Sequence, residues 1–141
     1  MSEDAPVPHG FVVVELKDAF SAGLGPIYLH AAASKIGFRV LPRHLNPTGV
    51  CHGGALASFA DMQVIAVAPR FEESGVHRPT VSLTIDYVAP VPAGAWVEAV
   101  VTLVKTTKTL LFAQALLYVG DEIVARANGI YRNYTPRQAR S

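Results

Sequence analysis

The strongest pattern in the chain is an apolar stretch with almost no polar relief. Between Gly53 and Ala68, GGALASFADMQVIAVA, only Ser58, Asp61 and Gln63 are polar. Ala, Leu, Met and Gln favour helix, and sixteen residues is too long for a typical strand. A segment apolar on nearly every side predicts a buried helix, not one lying on a wet surface. Pro69 and Gly75 would close it. After it the period shortens to two. In Thr80–Val88, Val81, Leu83, Ile85 and Tyr87 fall on one side and Thr80, Ser82, Thr84 and Asp86 on the other. The run Ala89–Gly94 reads as a turn. Strands are then predicted over Ala95–Lys105, Thr109–Val119 and Glu122–Tyr134, joined by turns at Thr106–Lys108 and Gly120-Asp121.

Upstream the pattern is weaker. Phe11–Phe20 fits either a strand or a short helix, and Ser21–Pro26 reads as a loop. Tyr28–Val40 reads as two strands about a turn near Ala33–Lys35. Pro42–Val50, with two prolines and a glycine, reads as a structured loop. Strands, one buried helix and a four-strand meander predict one antiparallel sheet wrapped round the helix, in the α+β class. Both faces of Leu110–Val119 are largely apolar, which is odd for a strand with one wet face.

Composition sharpens this. The 141 residues carry 12 Lys plus Arg against 11 Asp plus Glu, a net charge of +1. One domain over 1–141 is expected, with flexible tails at 1–10 and 135–141. Half the residues are apolar, which excludes extensive disorder. The absence of a basic excess argues against a nucleic-acid partner. No apolar run reaches the ~18 residues of a membrane span. The opening MSEDAPVPHG does not read as a signal peptide, so a cytoplasmic setting is expected. With one cysteine, Cys51, no internal disulfide is possible, and His30, His44, His52 and His77 lack metal-ligand spacing. No metal is expected. Only 16% of residues are charged, against about 25% in ordinary domains, a first hint of oligomerisation.

Candidate chemistry gathers at the start of the apolar helix. Asp61 is costly in such surroundings unless paired, hydrogen-bonded or facing a wet cleft, and it reads either as a satisfied structural acid or as a nucleophile or general base. Gly53-Gly54 opens the helix, where first-turn N–H groups lack intrahelical partners and sit at the positive end of the dipole. Such a place stabilises an oxyanion, although two glycines are also ordinary loop-to-helix punctuation. His52 is either a cap, a loop tie or an acid–base group. A Cys51-His52 nucleophile pair is discounted, because sequence neighbours rarely face each other.

The order and spacing of these residues carry more weight than each alone. Asn46-x-x-Gly49-x-x-His52-Gly53-Gly54, with Asp61 nine residues after the histidine, resembles the hot-dog thioesterases of the phenylacetate-pathway (PaaI-like) group, in the 4-hydroxybenzoyl-CoA thioesterase superfamily. The resemblance spans roughly Gly25 to Tyr134 and includes Ile85-Asp86-Tyr87-Val88-Ala89-Pro90 and the Lys105–Phe112 hairpin. It implies a curved antiparallel sheet round one long helix, and hydrolysis of an acyl- or aryl-acyl-CoA to free acid and CoA. It also implies a homodimer or homotetramer with active sites at the dimer interface. By that resemblance the Gly53 N–H binds the thioester oxygen, Asn46 positions or polarises that carbonyl, and His52 supports the loop. Asp61 of the partner subunit activates water or attacks directly, and Thr80 orients the water; for Thr80 an ordinary strand residue is the competing reading. Val50 and Gly54 would line the substrate. Among Arg70, Lys105, Lys108, Arg126, Arg132 and Arg137, the hairpin residues Lys105 and Lys108 are preferred for the CoA phosphates. No cofactor is needed, since CoA belongs to the substrate. The competing functions are a hot-dog hydratase or dehydratase and a non-catalytic acyl-CoA-binding module.

Overall fold

The computed structural model describes residues 5–68 and 78–133. Its seven strands form one antiparallel sheet: β1 (Val12–Val13), β2 (Tyr28–His30), β3 (Lys35–Arg39), β4 (Thr80–Tyr87), β5 (Trp96–Thr106), β6 (Leu110–Val119) and β7 (Glu122–Arg132). The helical pieces are α1 (Ala19–Leu24), α2 (Gly53–Asp61) and α3 (Val64–Val67), with short 3-10 turns at Ala31–Ala33 and Pro42–His44. This is the expected α+β architecture of one sheet about one central helical segment.

The strand order is β1-β2-β3-β5-β6-β7-β4. It corrects the expected four-strand meander. Tight turns make β5, β6 and β7 consecutive hairpin partners, and β3 takes the open side of β5, with Ile36 opposite Ala99. β4 joins the outer edge of β7, where Ile85 pairs with Ala127 and Tyr87 with Ala125. So β4 is itself an edge strand.

Register sorts the side chains. Ala99, Val101, Ala113, Ala115, Leu117, Ala125, Ala127 and Tyr131 are buried on the face that meets the helix. Many of them are alanine, and Gly129 lies in the same row, so the central strands can approach α2 closely. Leu56, Phe59 and Ala60 of α2 fill that space, and the Phe59 ring tilts onto Phe38 at 4.5 Å. Burying such side chains contributes about 1.5–3 kcal/mol each.

The helix departs from expectation in two ways. It ends at Asp61, and Met62–Gln63 form a break before α3. Nor is it buried all round: Gly54 is exposed and Ala57, Ser58 and Asp61 are half-buried, a strip of small residues facing outward. The expected closing residues Pro69 and Gly75 lie outside the described residues, as do Tyr134 and the tail 135–141. Upstream, Ser21–Pro26 is not a loop throughout, because α1 runs to Leu24. The Asp18 carboxylate caps it by accepting from the Ser21 N–H at 3.0 Å, and that bond holds the carboxyl below its usual range. Residues 28–40 fold as predicted, with Ser34 in the left-handed region at the turn. Among the described residues no helix is long and apolar enough to cross a membrane.

Candidate active site

The loop before α2 is built on hydrogen bonds from two side chains. Asn46 Oδ1 accepts from the Thr48 N–H at 2.9 Å, the Thr48 hydroxyl at 2.8 Å and the Val50 N–H at 3.2 Å. The Asn46 N–H in turn donates to the Val50 carbonyl at 2.8 Å, and Gly49 takes a positive φ of 86° to close the turn. His44, buried and considered in the sequence only as a metal ligand, ties this loop to α1. Its Nδ1 accepts from the Leu41 N–H at 2.9 Å, and its Nε2 is 2.6 Å from the Leu24 carbonyl. The His44 carbonyl accepts from the His52 N–H at 2.7 Å.

His52 is the N-cap of α2. Its Nδ1 accepts from the Gly54 N–H at 2.8 Å, which leaves Nε2 as the protonated nitrogen of the neutral ring. The Gly54 N–H is thereby occupied. Gly53, the first helical residue, keeps an N–H with no protein acceptor among the described residues. Its carbonyl accepts from the Tyr87 hydroxyl at 2.6 Å, and a Cβ at Gly53 would sit 3.2 Å from that ring. Tyr87 thus fixes the peptide plane that follows the open N–H. The sequence reading gave Tyr87 a strand position and a place in the Ile85–Pro90 stretch of the resemblance, but no role; its helix-facing register was the available signal.

Asp61 closes the same helix. It is half-buried rather than buried, so the expected buried acid is corrected to one at the surface of the helix end. The Thr80 hydroxyl donates to both of its carboxylate oxygens, at 2.9 and 3.0 Å. That contact overturns the alternation expected for β4. A register shift between Thr80 and Ser82 turns Thr80 to the helix side, opposite Tyr131, while Ser82, Thr84 and Asp86 stay on the outer face. The Tyr131 hydroxyl donates to the Asp61 backbone carbonyl at 3.1 Å.

The sequence-predicted residues therefore fall into two groups. Asn46, Val50, His52, Gly53 and Gly54 surround the helix start; Asp61 and Thr80 stand at its end. Gly53 and Asp61 are eight residues apart in α2, about 12 Å along the axis at 1.5 Å per residue. Lys105 and Lys108 flank the β5–β6 turn, whose register places it in the row of Thr80 and Tyr131, away from Gly53. Both are exposed. Arg126 pairs with Asp86 at 2.7 Å on the outer face, and Arg70 and Arg137 lie outside the described residues. Cys51 is buried, and desolvation pushes its thiol up to about 11, which suits a packing residue and not a nucleophile.

This arrangement has relatives. The Thioesterase superfamily model matches residues 48–126, from the Asn46 turn through α2 to the middle of β7. The chain belongs to the Thioesterase superfamily. A Pseudomonas aeruginosa protein named "Putative esterase PA0474" is 28% identical over 89% of this chain and 96% of its own length. Among solved structures, a single-site mutant of the phenylacetic acid degradation protein PaaI from Thermus thermophilus shares the fold at a TM-score of 0.63, with 24% identity over 89% of this chain and 94% of that one. The BH2602 protein of Bacillus halodurans, solved with CoA, matches at a TM-score of 0.62 and 25% identity, over 70% of this chain and 65% of that one. This thioesterase-superfamily chain thus shares the hot-dog fold of PaaI.

Proposed function

We propose that the protein is an acyl-CoA thioesterase whose active site is completed by a second copy of the chain. The observation that carries this reading is the pairing of an open Gly53 N–H with a Thr80-held Asp61 at opposite ends of one helix. They are too far apart to act on one carbonyl within a chain.

The edge strand offers a way to bring them together. β4 pairs on one side only, and Val81, Tyr87 and Val88 are 50%, 53% and 60% exposed. An exposed apolar edge invites pairing with another strand. Two β4 strands related by a two-fold axis run antiparallel, so the Thr80 end of one lies beside the Tyr87 end of the other. That sets Asp61 of one copy by Gly53 of its partner. The β5–β6 turn travels with Asp61, so Lys105 and Lys108 reach the same site as cations for CoA phosphates. A dimer of dimers would also cover the outer face, where Leu116 is 40% exposed.

In this site the thioester carbonyl oxygen accepts from the Gly53 N–H, which stabilises the oxyanion of the tetrahedral intermediate. Asn46 contributes its amide Nδ2, since Oδ1 is engaged in the loop. Asp61, oriented by Thr80, takes a proton from water as that water attacks, or attacks the carbonyl itself. A thiolate leaves readily, so one carboxylate and one oxyanion site suffice. The CoA bound to BH2602 supports a CoA thioester as substrate.

The test is thiol release over a panel of acyl-CoA esters with wild type and Asp61→Asn. Hydrolysis by wild type and a loss of about 10³-fold or more in the mutant are expected. Equal rates would remove Asp61 from the mechanism. Binding without turnover by wild type would favour an acyl-CoA-binding module, and addition of water across a double bond would favour a hydratase.

A further inference from the structure

α2 begins with two glycines whose backbone polar groups are not treated alike. The Gly54 N–H donates to His52 Nδ1 at 2.8 Å, and the Gly54 carbonyl accepts from the Ser58 hydroxyl at 2.8 Å. The Gly53 carbonyl accepts from the Tyr87 hydroxyl at 2.6 Å. Of these groups the Gly53 N–H alone has no protein acceptor among the described residues. His52 and Ser58 belong to the helix and its cap. Tyr87 is 34 residues from Gly53 in sequence, at the end of β4.

The Tyr87 bond is short, yet it can add little to stability. Tyr87 is exposed, and water would replace its hydroxyl. A carbonyl in the first helical turn keeps a second lone pair beyond its helix bond, so the phenol adds a tie and replaces none. The ring packs against Gly53, where a Cβ would sit 3.2 Å away, and phenylalanine would keep that packing. Something besides stability accounts for the hydroxyl. Glycine has the freest backbone of any residue, whereas an oxyanion donor must be held in place before the charge develops. The peptide between Gly53 and Gly54 is planar. It is gripped on both sides, by His52 at its N–H and by Tyr87 at its carbonyl. With that plane fixed, rotation at Gly53 is restrained and the open N–H keeps one direction.

We propose that Tyr87 is a positioning residue for the oxyanion donor: its hydroxyl ties the first peptide of α2 to the edge strand β4 and so aims the Gly53 N–H. The proposal rests on the oxyanion role given to Gly53. Tyr87 acts through the peptide and not on the substrate. Its strand is also the proposed meeting edge of two copies, which places the aim of the donor under the control of that pairing.

Tyr87→Phe tests it by keeping the ring and removing the hydroxyl. The variant is expected to lose about tenfold in kcat, to keep its KM and to melt within a few degrees of wild type. The Gly54 amide hydrogen, in the same peptide as the released carbonyl, should exchange with solvent several-fold faster by NMR. Thr80, on the same strand, separates two ways the hydroxyl could work. With Thr80→Val added, the losses in kcat should multiply, since the hydroxyl serves the Gly53 end and Thr80 the Asp61 end. A double variant no slower than the worse single one would show that Tyr87 acts by holding β4, and would overturn the proposal. So would unchanged kcat in Tyr87→Phe, a rise in KM alone, or a chain that fails to fold. If wild type hydrolyses no thioester, the hydrolase reading falls by itself. The Gly54 exchange rate then decides the tie: faster exchange supports it, and an unchanged rate overturns it.

Discussion

The two ends of α2 are made of different materials. At the Gly53 end the group assigned to the proposed site is backbone: an N–H whose place is set by the Asn46 turn, the His52 cap and the Tyr87 hydroxyl. At the Asp61 end it is a side chain, set by Thr80 from a strand and by Tyr131 beneath. A backbone donor is rigid because the loop and helix that carry it are rigid. A carboxylate on a short stem needs separate fixing, and the register shift in β4 exists where that fixing occurs. The helix joins the two ends and also keeps them about 12 Å apart. One chain therefore carries both halves of the proposed site in positions where they cannot meet.

The largest effect should come from breaking the two halves in separate chains. Gly53→Pro deletes the N–H and little else, because proline is tolerated at the first helical position and His52 before it is already extended, at φ −61° and ψ 136°. The exposed Tyr87 ring must give slightly to admit the ring carbons. Thiol release should fall about 10²–10³-fold, the usual effect of losing one oxyanion donor. Mixing this variant with Asp61→Asn, after dissociation and reassembly, should then restore activity. With random pairing half of the dimers are mixed and each holds one intact site, so about one quarter of wild-type activity returns. No recovery would place both groups in one chain's site and sink the shared arrangement.

A smaller change tests the side-chain end alone. Thr80→Val removes the hydroxyl that binds both Asp61 oxygens and keeps the β-branched shape that suits a strand. Turnover should drop about tenfold, in line with the loss of one charge-assisted hydrogen bond. Thr80→Ser should recover most of it. If Val and Ser behave alike, Thr80 serves the fold of β4 and not the acid.

The two ends also differed in how readable they were. The Gly53 end lies in contiguous sequence, and a cap and a helix start obey local rules, so His52 and Gly53 could be picked out from the residues, while Asn46 entered through the family resemblance of the same contiguous stretch. The Asp61 end depends on strands brought from elsewhere. The helix stop at Asp61 carries no proline or glycine signal, and the flip of Thr80 depends on a register shift that strict alternation cannot express. The same contrast holds for the fold. Strand positions from Trp96 onward followed from period and turns, whereas the journey of β4 to the β7 edge depends on which strand edge remains open. Tyr87 and Tyr131 were invisible as site residues because each acts through one hydroxyl bond to a backbone carbonyl far away in sequence.

The smallest expected effect returns to the backbone end. Asn46 Oδ1 gathers three donors from Thr48 and Val50, so Asn46→Ala should unpin the turn. The turn is partly exposed and water can replace some of these bonds, so the loss should be about 1–2 kcal/mol, a fall of several degrees in melting temperature. Asn46→Asp separates structure from chemistry. It keeps the acceptor oxygen for all three donors but loses the Nδ2 donor assigned to the substrate carbonyl. Its melting temperature should stay near wild type while turnover falls. If Asn46→Asp keeps full turnover, the amide has no part in polarising the carbonyl, and the Gly53 N–H would be the oxyanion donor on that side of the site.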